Sequence, residues 1–123
     1  MSYRYYLVDS NIYIPGENLA GAGVASVARA VEDGFEVDGD TDLDRVLGWY
    51  GFGGAFVSER GLEIKFCCPE EADGDPERLL LALAPYAADG TRIVWLGENL
   101  DVWRGGFEGG EYVTEDADLT RIP

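Results

Sequence analysis

The chain has 123 residues, with 24 Asp and Glu against nine Lys and Arg, no histidine, and a formal net charge of −15. Such a chain is repelled by phosphate, which argues against direct binding of nucleic acid or of an anionic membrane. The missing histidine removes the commonest general base and metal ligand, and with it every Ser-His-Asp or Cys-His arrangement.

The length fits one α+β domain over residues 1–123. Three Trp, seven Tyr and five Phe within a 46% hydrophobic composition supply its core. Residues 3–14 are aromatic and β-branched and predict a strand, with a bulge near Ser10-Asn11 and an end at Pro15-Gly16. A helix follows over 17–33. Leu19, Val24, Val27 and Val31 fall on its expected buried face, and Gly34 is its stop. Gly21-Ala22-Gly23 lies inside this helical pattern, so it reads as close packing and not as a dinucleotide-binding turn. Residues 35–44 predict a short strand passing into an acidic loop, where Thr41 and Asp44 resemble a capping pair for a helix over 42–48.

The passage from Gly48 to Gly54 has no Lys-Ser or Lys-Thr after it and reads as a bend, not a phosphate loop. Residues 55–58 and 62–68 predict a hairpin turning at Ser58–Gly61, with Leu62, Ile64, Phe66 and Cys68 on one face. Over 75–88, Asp75 is a good N-cap and Pro76 suits the first helical position. Leu79, Leu80, Leu83 and Ala87 form the buried stripe, and Pro85 shortens the last turn before Gly90. Strands at 91–96, 100–105 and 111–121 close the chain, with turns at Gly97-Glu98-Asn99 and Glu108-Gly109-Gly110. Short late connections imply antiparallel pairing. The expected architecture is a single antiparallel sheet of about five to six strands with two helices on one face.

Cys67 and Cys68 are adjacent and form no disulfide framework. They fit a reducing compartment and a structural role, and two thiols fall short of a zinc ligand set. No basic segment leads into an apolar run at the start, and no apolar stretch nears the ~18 residues of a membrane span, so the expectation is a cytoplasmic protein. Asp38, Asp40, Asp42 and Asp44 alternate as in the start of an EF-hand loop. The pattern then fails, with Leu43 where glycine is needed and Trp49 where glutamate is needed. No catalytic residue, metal ligand or cofactor site is expected.

In the last third, Gly97-Glu98-Asn99, Trp103-Arg104, Gly110 and the closing strand resemble the tails of small uncharacterised acidic proteins of high-GC bacteria and their phages. The likeness covers residues 90–121. It implies a mobile-element context and no active-site residue.

The charge pattern carries the functional expectation. Glu32, Asp33, Glu36, Asp38, Asp40, Asp42 and Asp44 place seven acids in 13 residues; Glu70, Glu71, Asp73, Asp75 and Glu77 form a second run; Glu108, Glu111, Glu115, Asp116 and Asp118 form a third. Such runs repel themselves, and a rigid carboxylate array can imitate the phosphate ladder held by basic grooves. The expected function is therefore non-catalytic: an acidic inhibitor, from a phage or mobile element, that blocks a basic nucleic-acid-binding protein of a bacterial host. Trp49, Tyr50 or Trp103 would serve as apolar anchors. An immunity protein against a basic nuclease shares this physics, and a housekeeping domain whose acidity reflects genome or habitat is the third alternative.

Overall fold

The computed structural model describes residues 5–52, 56–58, 61–64, 73–97 and 101–117. They contain β1 (Tyr5–Ser10), β2 (Ile12–Pro15), α1 (Leu19–Glu32), α2 (Leu43–Trp49), β3 (Phe56–Ser58), β4 (Gly61–Ile64), α3 (Pro76–Leu83), β5 (Arg92–Gly97), β6 (Val102–Glu108) and β7 (Glu111–Ala117). The fold is α+β and each strand pair is antiparallel, as the short connections imply.

The strands do not form one sheet. A four-stranded sheet has the order β1-β5-β6-β7, and a three-stranded sheet has the order β2-β4-β3. The division falls at Asn11, inside what reads as one continuous strand. The Asn11 amide donates to the Arg92 carbonyl at 3.0 Å, and Asn11 Oδ1 accepts from the Arg92 amide at 2.6 Å. These two bonds terminate the β1–β5 ladder. The Ile12 amide turns to Ser10 Oγ at 3.3 Å, and from Ile12 onward the chain pairs with β4. The bulge itself lies earlier, between Leu7 and Asp9.

Among the described residues there are three α-helices, one more than the two expected. Ile12, Ile14, Leu62 and Ile64 from the small sheet join Ile93, Trp95 and Phe107 from the large one. Leu43, Val46, Leu47, Leu79, Leu80 and Leu83 from the helices complete one continuous buried cluster. Each such side chain contributes roughly 1.5–3 kcal/mol relative to exposure. The expected stripe of α3 is buried in full, and Asp75 caps the helix by accepting from the Glu77 amide at 3.0 Å. Pro85 falls in a 3-10 turn over Ala84–Tyr86, which ends the helix as proline should.

α1 departs from its reading. Ala22, Ser26 and Ala30 are its buried residues, while Val24 is 74% and Val31 54% exposed. The helix packs on α2 and α3 through small side chains, which lets the backbones approach. A Cβ at Gly21 would run into the ring of Tyr86. The helix ends in a full Schellman motif: the Phe35 amide donates to the Ala30 carbonyl at 2.9 Å and the Gly34 amide to Val31 at 3.1 Å, with Gly34 at φ +90°. Beyond it the predicted strand within 35–44 is absent. Phe35 is held by that motif and stacks on Trp49 at 5.1 Å, and a side-chain turn at Asp38 occupies the next backbone donors. Gly109 and Gly110, at φ +60° and +81°, form the two-residue turn that joins β6 to β7.

Candidate functional site

The first acidic run divides into buried and displayed members. Asp33 is sunk at the end of α1, its side chain 13% exposed. Its Oδ2 accepts from the Tyr50 hydroxyl at 2.5 Å. Its Oδ1 accepts from Arg29 at 3.2 Å and from Arg78 Nε at 3.0 Å and Nη2 at 2.9 Å. Burial raises the pKa of this carboxyl, but the hydrogen bonds from Tyr50 and Arg78 and the charges of Arg29 and Arg78 outweigh it. The net effect holds Asp33 below the ordinary carboxylate range. The same contact, with burial as the larger cause, pushes the Tyr50 phenol well above its usual value. This cluster joins α1, α2 and α3, and commits both oxygens of Asp33 to the fold. Glu32 pairs with Arg29 at 2.6 Å.

The rest of the run is displayed from a fixed backbone. Asp38 Oδ1 accepts from the Asp40 amide at 2.8 Å and from the Thr41 hydroxyl at 3.2 Å, and Arg45 lies 4.0 Å away. Asp42, and not Thr41, caps α2 by accepting from the Arg45 amide at 2.9 Å. These bonds commit one oxygen each of Asp38 and Asp42 to the turn and the cap. Among the described residues no group of three or more Asp, Glu, Cys or His is placed to hold a metal. Glu36, Asp40 and Asp44 are exposed and form no ion pair with a described residue.

Beside this loop lies an open groove of about 600 Å³. One wall is α1, through Leu19, Ala20, Gly23, Val24 and Val27; the other is the start of α2, through Thr41, Asp42 and Leu43. Its lining is almost wholly apolar, and no cation contributes to it. Asp42 is the acid of its lining, exposed Asp40 and Asp44 flank the lining residues Thr41–Leu43 along the chain, and exposed Glu17 lies two residues before Leu19.

The second run meets the first only in part. Glu70 and Glu71 lie outside the described residues. The Asp73 and Gly74 amides donate to the Trp49 carbonyl at 2.9 and 3.1 Å, which sets exposed Asp73 against the end of α2. Glu77 points inward, where its two oxygens accept from Trp103 Nε1 at 3.1 Å and from the Tyr112 hydroxyl at 2.9 Å. Burial, and then the Glu77 charge, raise the Tyr112 phenol well above its ordinary value.

The third run is directed elsewhere. Tyr112 and Trp103 face α3, so by alternation Glu111 and Glu115 stand on the opposite face of the four-stranded sheet, with Glu108 across from Glu111. Arg104 meets Glu115 there at 2.6 Å. Asp116 lies in β7 opposite Trp103, and Asp118 is outside the described residues. The three runs therefore do not converge on one face: the first two adjoin, and Glu108, Glu111 and Glu115 of the third are separated from them by a sheet.

The aromatic candidates divide as well. Tyr50 is fully buried and is removed from the anchors, because its hydroxyl is drawn down to Asp33. Trp49 is half-buried against Phe35, and Trp103 is half-buried with its indole N–H on Glu77. The apolar contact surface is instead Val24 of α1, which helical spacing places in the core, with the outer parts of Leu19 and Val27, which are half-buried and pack against the core as that spacing predicts. One signal in the sequence could have pointed to them. Of the 14 residues of α1 only Arg29 and Glu32 are charged, so the helix is apolar nearly all round, more than a single packed face requires. Comparison with protein-family models, with curated proteins and with solved structures finds no match.

Proposed function

We propose that this protein is a non-catalytic binding protein that holds a basic protein partner against its helical face, and so blocks a nucleic-acid-binding protein of a bacterial host. The observation that carries the reading is the displayed part of the first run. Glu36, Asp40 and Asp44 project from a segment fixed by a Schellman motif, an Asp-Thr turn and a helix cap. Carboxylates on a fixed backbone attract a cationic surface without the entropy loss of ordering a tail. An apolar groove beside them adds contact area that water would otherwise wet. The described residues contain no helix long and apolar enough to cross a membrane, and the net charge of −15 favours a cationic protein over nucleic acid.

The test is retention from bacterial lysate on immobilised protein, beside a variant with Glu36→Gln, Asp40→Asn and Asp44→Asn. The wild type is expected to retain nucleic-acid-binding proteins at low salt, to release them at high salt, and to lose their nucleic acid to competition. Identical retention by the neutralised variant refutes the reading. An immunity role differs only in the protein retained, a nuclease encoded beside this chain.

A further inference from the structure

We infer that the groove between α1 and α2 receives an amphipathic helix of the partner, with apolar side chains toward α1 and Lys or Arg toward the Asp40–Asp44 stretch. The inference rests on the binding reading above and names what the partner inserts.

The chemistry of the walls selects a helix. The groove offers no strand edge: α1 spends its backbone groups within its own helix, and the lining side chains are apolar apart from Thr41 and Asp42. An extended peptide laid here would bury unpaired N–H and C=O groups, which is unfavourable. A helix arrives with its backbone bonds already made. A small apolar ligand fits less well, because Val24 is 74% exposed and the open groove cannot enclose one. A second copy of the chain is disfavoured by charge, since it would set one acidic stretch against another.

Gly23 supports close approach from outside. Its neighbour Gly21 is required by the Tyr86 ring, but a Cβ at Gly23 would meet nothing within 4 Å. A mid-helix glycine lowers stability relative to alanine, and here no internal contact asks for it. With Ala20 one turn earlier it leaves a shallow bare strip of α1, flanked by Val24 and Val27, over which a second helix can settle. Leu19 to Val27 spans about 12 Å of axis, room for roughly two turns of a partner.

The experiment uses three synthetic peptides of equal positive charge: a helix-forming one with Leu at helical spacing among Lys and Arg, one with those Leu replaced by Ser, and one of the first composition broken by two prolines. Binding to the full chain is read by fluorescence anisotropy at physiological salt, and the contact is mapped by amide chemical shifts. The first peptide is expected to bind at least about tenfold more tightly than the other two, to gain helicity, and to shift Gly23, Val24 and Leu43. Gly23→Leu and Val24→Ser should each weaken it about tenfold without lowering Tm; neither should change binding of the Ser peptide. Gly23→Ala should raise Tm. Equal binding of all three peptides, or shifts confined to other surfaces, overturns the groove assignment and leaves the acidic-surface reading standing. No binding by any cationic peptide overturns both. Dimerisation of the free protein that Val24→Ser abolishes would replace the partner helix with a second copy.

Discussion

The loop between α1 and α2 and the β6–β7 hairpin carry similar densities of carboxylate and use them differently. In the loop, Glu36, Asp40 and Asp44 stand exposed on a backbone pinned by Asp38 and Asp42, next to an apolar groove. In the hairpin, strand alternation sends Glu111 and Glu115 to the far face of the sheet, where Arg104 meets Glu115, while the inward positions deliver Tyr112 and Trp103 to Glu77. A run of acids is thus several things at once: structural acceptors, caps, paired surface charges and unpaired ones. Only the last class is available to a partner: Glu36, Asp40 and Asp44 display it on the helical side, and Glu108 and Glu111 display it on the far face of the sheet.

That comparison can be broken or sharpened by substitution. The largest effect is expected at Asp33. Asp33→Ala leaves the Tyr50 hydroxyl without its acceptor and takes from Arg78 and Arg29 the carboxylate they share, and should cost about 3 kcal/mol of unfolding free energy in urea titration. An effect under about 0.5 kcal/mol would move Asp33 to the displayed class. Glu77→Ala strands the Trp103 and Tyr112 donors and should cost about 2 kcal/mol. Both acids would then be structural, although they belong to different runs. Stability against pH gives a graded version. Asp33 has its folded pKa lowered from 3.8, so its contribution is complete above that value and fades as pH falls through the folded one. The wild type should lose stability in strongly acid solution, and Asp33→Asn should flatten that part of the profile; an unchanged profile would place the acid sensitivity elsewhere. On the hairpin, Glu115→Gln should cost no more than about 0.5 kcal/mol, because the pair with Arg104 is solvent-screened. Asp44→Asn should be near neutral, or stabilising by a few tenths through relieved repulsion. A cost above about 1 kcal/mol would show that Asp44 serves the fold rather than its surface.

Much of the fold is legible where the determinants are local. Asp75, Pro76 and the Leu79-Leu80-Leu83 stripe identify α3 because cap, first turn and buried face lie within 12 residues. The Glu108–Glu111 turn is equally local. The division into two sheets is not, since it depends on Asn11 meeting Arg92, 81 residues away. On α1 Leu19 and Val27 pack against the core as expected, but Val24 and Val31 do not, because valines and alanines at helical spacing are both compatible with burial. Only the close packing of α1 on α3, with Tyr86 over Gly21, selects the small ones. The strand expected within 35–44 was lost to hydrogen bonds made by Asp38 and by the Schellman turn, which compete with any ladder. Clustering of acids was plain in the sequence. Their destinations were not, because Asp33 and Glu77 look no different from their neighbours until Arg78, Tyr50, Trp103 and Tyr112 arrive around them.

The position of β1 has a consequence for how the chain comes together during synthesis. Its partner on the sheet is β5, in a register running from Ser10–Ile93 to Tyr5–Gly97. An emerging polypeptide must therefore keep its first strand without that neighbour until most of the sequence has left the ribosome. Loop closure of this span is slow compared with a hairpin, so the β5–β6–β7 meander is expected to assemble first and to recruit the amino-terminal strand last.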